Sequence, residues 1–483
     1  MASHTDNGEY VEGMYVPFTS PSEVVNDLVN NHAKVSDMWL RGVVAASILL
    51  VLGIIGFVMN VVEGVSDRAV WAYYALMFSF ILTTASAAPM VAIATRMANA
   101  HWRRPISRVA ELWSAAGLFS LLLFIPMLWI LPPLNDGRRS LWFYDVNDAF
   151  FSRVPIYSPH IWMSAAILAL VALGVVLLWL SAMPDLALMR EHSTGWRQKW
   201  AARLSKGWIG STGQWNMLHH RMGIVGAFYF MMLVFVHFLV STDFLMVLVP
   251  GWIDSLYPLT HAANSLQAGV ATVILTMFFL RKFGGYEDYI TLDQFWALSK
   301  LLFALSLLWF WFWFSSFNVF WYGKKPSEQA VLGYLMTGAY QPAFMAGFVL
   351  SFLTPMWFMM WNRVRKSFWG PAVMSVSVLV GTFFDKLRYY VPAWSVNDVG
   401  IVQKIGEPGA AHELALDNLP KVNMPGVADV FIVLGVIGGA VLFYLLASRL
   451  IPPINIWEQK ELVLYKFHKA YHRTEVMVLG KPR

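Results

Sequence analysis

Runs of apolar residues long enough to cross a bilayer recur along this chain, and they leave few folds open. A helix needs about 20 apolar residues to span a hydrocarbon core of about 30 Å. About ten such runs can be read, near 39–62, 71–95, 107–131, 160–183, 221–241, 259–281, 297–320, 341–361, 369–386 and 427–450. The chain is therefore expected to be an all-α integral membrane protein with about ten transmembrane helices. Only 13% of its residues are charged and 58% are hydrophobic, against about 25% charged in soluble domains. The net charge of +6 sits in loops, so it sets topology, and no nucleic-acid partner is expected. There are no cysteines, which removes Cys-ligated iron–sulfur clusters, disulfides and thiol chemistry from this chain.

Charge then orients the spans. Loops after the second, fourth, sixth and eighth runs hold sixteen Lys and Arg, among them Arg96, Arg103, Arg104, Arg190, Arg197, Arg281 and Arg365, against ten in the opposite loops. The positive-inside rule puts both termini in the cytoplasm, with a cytoplasmic segment at 1–38, the membrane domain at 39–450 and a cytoplasmic tail at 451–483. No cleavable signal peptide is read at the polar, acidic N-terminus. Two long outer loops follow, about 132–159 and about 387–426, both rich in Trp, Tyr and Pro. They suit a platform for an outer partner or, equally, an aromatic interface belt. Spans two to five and six to nine are expected to form two four-helix bundles, with the first and last spans flanking them.

Ionisable residues inside the spans are few, so each is a candidate. An ionisable group at mid-membrane costs roughly 2.5–3.5 kcal/mol on insertion scales. His237 lies within the run Phe228 to Trp252, and Ser241 shares its helix face. Asp243 follows near the helix end. A neutral His bonded to a neighbouring helix is the structural alternative. Glu111 lies three residues after Arg108, and Asp385 three before Arg388, so both carboxylates can self-pair. Asp185 follows Pro184 at the end of the fourth run, where solvation at the interface would explain it. His160 opens the fourth run on the side where Asn135 and Asp136 close the third. A His and a carboxylate at one depth suit chemistry in which a base takes protons while electrons leave. A haem b would need facing axial His residues; only His237 and His261 match in depth, so no haem is expected.

Several stretches together carry a resemblance: Trp208-Ile209-Gly210-Ser211 with Trp215; His237, Ser241, Asp243-Phe244 and Pro250-Gly251-Trp252; Glu287-Asp288-Tyr289-Ile290-Thr291; and Met183-Pro184-Asp185-Leu186. Over about 39–450 the chain resembles the NrfD-like (polysulfide reductase membrane subunit) family, and within it the ten-helix membrane subunits of bacterial alternative complex III. The resemblance implies a subunit of the bacterial cytoplasmic (inner) membrane, free of haem and iron–sulfur clusters. It would bind quinol (menaquinol or ubiquinol) near the outer face and pass electrons to a docked extracytoplasmic iron–sulfur protein and a multihaem cytochrome c, beside a second homologous membrane subunit. It also implies proton-conducting polar positions, matched here by Glu111, Asp185, His237, Asp243 and Asp385. The sequence departs from quinol-oxidising relatives at two places. Asn135 stands where they have His before Gly-Arg, and Trp162-Met163 where they have Trp-Asp.

The expected function is therefore a membrane subunit of a quinol:electron-acceptor oxidoreductase of a respiratory or photosynthetic electron-transfer chain, with or without coupling to proton translocation. His160 or Asp136 would be its base, Asn135, Arg138, Trp142, Tyr144 and Trp162 would bind quinol, and Glu111, Asp185, His237, Ser241, Asp243 and Asp385 would line a proton path. The rival is a non-redox anchor or proton-path subunit of the same kind of complex, favoured by the two departures. A secondary transporter is disfavoured, because no matching pair of Gly/Pro-interrupted spans is evident.

Overall fold

The computed structural model describes residues 20–65, 67–131, 157–249, 252–396, 422–464, 466–471 and 474–479. Among them ten helices are long and apolar enough to cross a membrane: Asp37–Glu63, Arg68–Met97, Ser107–Ile130, Ser158–His192, Thr212–Leu248, Tyr257–Phe283, Leu292–Gly323, Gln341–Met359, Trp369–Ser395 and Val427–Leu450. The protein is an all-α, multi-pass membrane protein. A short antiparallel hairpin, Lys466–Tyr471 with Thr474–Leu479, is the only sheet among the described residues. Ten spans return the chain to the side it started from. We call that side the terminal face and the opposite side the far face.

Spans two to five pack on one another, as do spans six to nine, and the bundles meet where the second span contacts the sixth and ninth and the fifth contacts the sixth. The second span lies at the centre. Its Trp71, Ala75, Leu76, Met77 and Phe78 are at most 1% exposed, as a helix apolar on all sides must be. The first and tenth spans lie outside and pack on each other. Gly53 and Gly435 face across that contact, where a Cβ on Gly435 would stand 2.1 Å from the Gly53 Cα. Small residues permit this backbone approach, which drives helix association in lipid. The outward face of the first span is Val44, Ile48, Val51, Ile55, Val58 and Val62, all exposed and suited to acyl chains.

Several spans are not continuous α-helices. The second breaks between Thr84 and Pro89, and Tyr229 Oη donates to the Ser86 carbonyl there at 2.5 Å. Backbone groups freed inside a bilayer must find such partners. Gly269 of the sixth span covers the break, and a Cβ there would meet the Ala87 carbonyl at 2.8 Å. The third span is interrupted between Glu111 and Ser114, and the eighth has a π-helical turn, Val349–Leu353, before Pro355. Interrupted spans therefore do occur, but the second, third and eighth do not hold corresponding places in the two bundles.

The ninth span also runs further than its apolar run. Asp385, Lys386 and Arg388 do not end it; the helix continues to Ser395 and all three are buried. Residues 387–395 thus belong to the span and not to the outer loop that the sequence suggests. Pairing explains the extension: Asp385 Oδ1 accepts from Arg388 Nε at 3.0 Å and Nη2 at 2.8 Å.

On the terminal face the helix Pro21–Ala33 packs on the C-terminal helix Ile456–Leu464. Ser20 caps the first, accepting from the Glu23 amide. Its His32 Nε2–H donates to the Ser448 carbonyl at 3.1 Å. Burial, then the nearby Arg197 charge, lowers the His32 pKa to about 4 against the carbonyl's opposing pull. His32 is thus neutral when docked, while the undocked form takes up a proton below about pH 6.5. The docking is expected to be fully present above about pH 6.5 and to weaken as pH falls towards 4. Hydrogen exchange of residues 20–33 should rise over that window in wild type but not in His32→Gln. A flat wild-type profile would refute this.

Candidate functional site

The two signature stretches that carry much of the resemblance are helix starts. In the first, Gln214 Oε1 accepts from the amides of Ile209, Gly210 and Ser211, and Ser211 Oγ accepts from the Gln214 amide at 3.3 Å. This capping box begins the fifth span. Gly210 has φ +77°, which suits glycine. In the second, Thr291 and Gln294 cap the seventh span, Arg281 binds the Glu287 and Ile290 carbonyls, and Tyr289 Oη donates to Asp27 at 2.8 Å. Their chemistry is local folding at the terminal face.

Inside that face lies a buried ion network. Arg108 donates to Glu111 at 3.3 Å, to Asp185 at 3.0 Å and to the Ser181 carbonyl at 2.6 Å. Glu111 also pairs with Arg96 at 2.7 Å and accepts from Ser181 Oγ at 2.5 Å. Asp185 is fully buried and accepts from the Trp457 amide at 2.9 Å, so simple solvation at the interface does not describe it. The C-terminal helix adds Glu458, fully buried, to Arg103 at 2.5 Å and Arg96 at 3.4 Å. Burial pushes the Glu458 carboxyl up, but Arg103 and Arg96 outweigh it and hold it below the usual range. The sequence marks Glu111 and Asp185 separately; the fold joins them.

On the far face, His160, Trp162 and Asp243 come together. Trp162 Nε1 donates to Asp243 Oδ2 at 2.9 Å. His160 lies one helical turn from Met163, and its ring stands 6.4 Å from that of Phe244, the residue after Asp243. His160 Nε2–H donates to the Leu131 carbonyl at 3.2 Å, which leaves the neutral ring's lone pair on Nδ1. Asp243, expected on a proton path, thus touches the expected quinol-binding Trp162. Asn135, Asp136, Arg138, Trp142 and Tyr144 lie outside the described residues.

His237 is fully buried and meets His261 of the sixth span, Nδ1 to Nδ1, at 2.8 Å. Two neutral imidazoles can share that bond only if one Nδ1 carries a hydrogen and the other does not. His261 Nε2 lies 3.2 Å from both Ser79 Oγ and Tyr390 Oη. Ser241 does not join the rings. Its hydroxyl donates to the His237 carbonyl at 2.7 Å, the usual recourse of a helical serine four residues on. Asp385 lies in the second bundle, paired with Arg388, whose Nη2 also donates to Tyr389 Oη at 2.6 Å.

From His261 a polar seam follows the sixth span inward. Asn264 Nδ2 reaches Thr382 Oγ1 at 3.4 Å, and Gln267 Nε2 reaches Ser306 Oγ at 2.9 Å and the Ser351 carbonyl at 2.8 Å. Thr272 bonds within its own helix. Thr276 then accepts from Trp113 Nε1 at 3.1 Å, two residues from Glu111. Tyr257, His261, Asn264 and Gln267 are spaced by three or four residues, which places them on one face, and this periodicity was available in the sequence.

A small cavity of about 30 Å³ lies at the far end of the second bundle, walled by Trp252, Tyr257, Trp313, Phe320 and Tyr389. Asp254 lies at its edge, capping the sixth span through the Leu256 and Tyr257 amides and accepting from Ser316. Burial raises its carboxyl pKa despite those bonds. Asp254 sits between spans, where the apolar pattern gives it no mark.

Compared with known proteins, the chain matches no family model and no curated protein.

Proposed function

We propose that this protein is the membrane subunit of a quinol:electron-acceptor oxidoreductase, with the terminal face cytoplasmic and the quinol oxidised at the far face. The observation that carries this reading is the meeting of His160, Trp162 and Asp243 at one far-face position. Quinol oxidation releases two electrons and two protons. His160 Nδ1 takes one proton, and Asp136, placed by sequence at the same depth, serves the second. Asp243 fixes Trp162 as a wall for the quinol ring. Electrons pass to a docked partner with iron–sulfur or haem centres, because this chain has no cysteine to hold such a cluster.

A second reading is a proton-path subunit with no redox site of its own. The seam from Tyr257 to Gln267 favours it, since buried polar groups at each turn are what proton transfer through a bilayer needs.

The two readings separate in the detergent-solubilised complex, by quinol-dependent reduction of the partner's centres. Under the first, His160→Ala should lower the rate by about 10²-fold or more, in the range of general acid–base losses, with assembly intact. Rates within a factor of two of wild type would overturn the first reading in favour of the second.

A further inference from the structure

We propose that Lys386 is a proton-exchanging amine that hands protons to and from the His261–His237 pair. The proposal deepens the proton-path reading and rests on it only for the direction of net transport.

Lys386 is 1% exposed in the middle of the ninth span. An ammonium there needs a counter-charge or several hydrogen bonds. Among the described residues it has no ion pair or hydrogen bond. Its neighbour Asp385 is already engaged by two nitrogens of Arg388. The three groups together carry one positive charge in excess when all are ionised. Helix geometry says where the amine points. Thr382, Lys386 and Tyr390 follow one another at intervals of four, on one face. Thr382 touches Asn264, and Tyr390 touches His261. Lys386 therefore faces the sixth span between those two residues.

That wall is short of partners. His237 Nε2 and Asn264 Oδ1 are both buried and have no hydrogen bond. On the far side, Tyr257 Oη and Arg388 Nη1 are likewise buried without one. Native interiors pair nearly all such atoms, so each exception calls for water, an ion or a functional cause. His237 Nε2 and Asn264 Oδ1, on the wall that Lys386 faces, mark a place where polar connections form and break.

The titratable groups facing Lys386 are Asp385, Arg388, Tyr389 and Tyr390 of its own span, His261 and Tyr257 of the sixth, and His237 of the fifth. Ser79 of the second span and Phe344 of the eighth, which stacks on Arg388, do not titrate. Arg388 keeps its charge at all working pH, and Asp385 neutralises it. Lys386 and the imidazoles are left as the groups able to exchange. The exchange balances: the ammonium gives one proton to an imidazole nitrogen, directly or through a water, and becomes a neutral amine. The imidazole pair releases a proton at its other end by reversing both tautomers.

The test is nitrogen NMR of the full chain in lipid bilayers, with labelled lysine side-chain nitrogens. One resonance, absent in Lys386→Met or, if that variant fails to fold, in Lys386→Arg, should pass from ammonium to free amine within the pH range in which the complex turns over. A resonance that stays ammonium throughout that range, or never leaves the amine form, overturns the proposal. In sealed vesicles of the complex, Lys386→Arg should lower protons released per electron at least about tenfold, because arginine does not give up its proton. Absence of wild-type quinol turnover would count against the oxidoreductase reading alone, since the resonance still decides Lys386. A titrating resonance with unchanged proton release would overturn the exchange.

Discussion

Replacing Arg108 by alanine should destabilise the protein by about 3–5 kcal/mol, the usual result of removing one partner from a buried ion pair. Three cations, Arg96, Arg103 and Arg108, face three carboxylates, Glu111, Asp185 and Glu458, and all three carboxylates are fully buried. Glu111 would keep Arg96 at 2.7 Å. Asp185 would keep only backbone amides, those of Trp457 at 2.9 Å and Ile456, so its charge would stand without a cation in the protein interior. The Ser181 carbonyl would lose its bond too. Thermal unfolding in detergent should shift down by several degrees. Adding Asp185→Asn to the variant should recover much of the loss, because the stranded charge is gone while the side-chain volume remains. A midpoint within one degree of wild type for Arg108→Ala would show that the network contributes little.

This network also marks the limit of what sequence reasoning can reach. The spans were legible because each is a local property, some twenty apolar residues whose membership depends on no other part of the chain. Where the reading stopped short, at the ninth span, it treated Asp385 and Lys386 as an end signal. Charge ends a span only when it must reach water, and Asp385 instead finds Arg388 one turn on. The pairing of Arg108 with Glu111 was legible for the same reason, at three residues apart. Glu458 was not: it meets Arg103 across 355 positions of sequence, and the tail that holds it reads as a plain cytoplasmic end. The far-face site is intermediate. His160, Trp162 and Asp243 were each visible as candidates. That the Trp162 indole would bond Asp243 depends on how the fourth and fifth spans rotate against each other, which no periodicity within either span contains. The seam on the sixth span was legible in principle, since its spacing is helical, but Asn264 and Gln267 are uncharged and drew no notice beside ionisable residues.

Substitution of His261 by glutamine should lower proton transfer across the membrane by about 10²-fold while leaving the fold intact. His261 makes three contacts, to His237 at 2.8 Å and to Ser79 and Tyr390 at 3.2 Å each. A glutamine amide offers donors and an acceptor of comparable reach, so most of this bonding survives. An amide cannot accept a proton at one nitrogen and release it at another, whereas an imidazole can. The variant therefore separates a hydrogen-bonding role from a proton-carrying one. The losses usual when a positioned acid or base is removed are 10² to 10⁴-fold. The measurement is the rate of internal pH change in vesicles that hold the complex, with electron transfer to the partner followed in the same sample. If His261 carries protons, pH change collapses and the thermal midpoint holds. If proton transfer in His261→Gln stays within a factor of two of wild type, the two imidazoles serve only to join the fifth and sixth spans. His261→Leu should then be the damaging change, through the buried polar atoms it strands on His237, Ser79 and Tyr390, each worth about 1–3 kcal/mol.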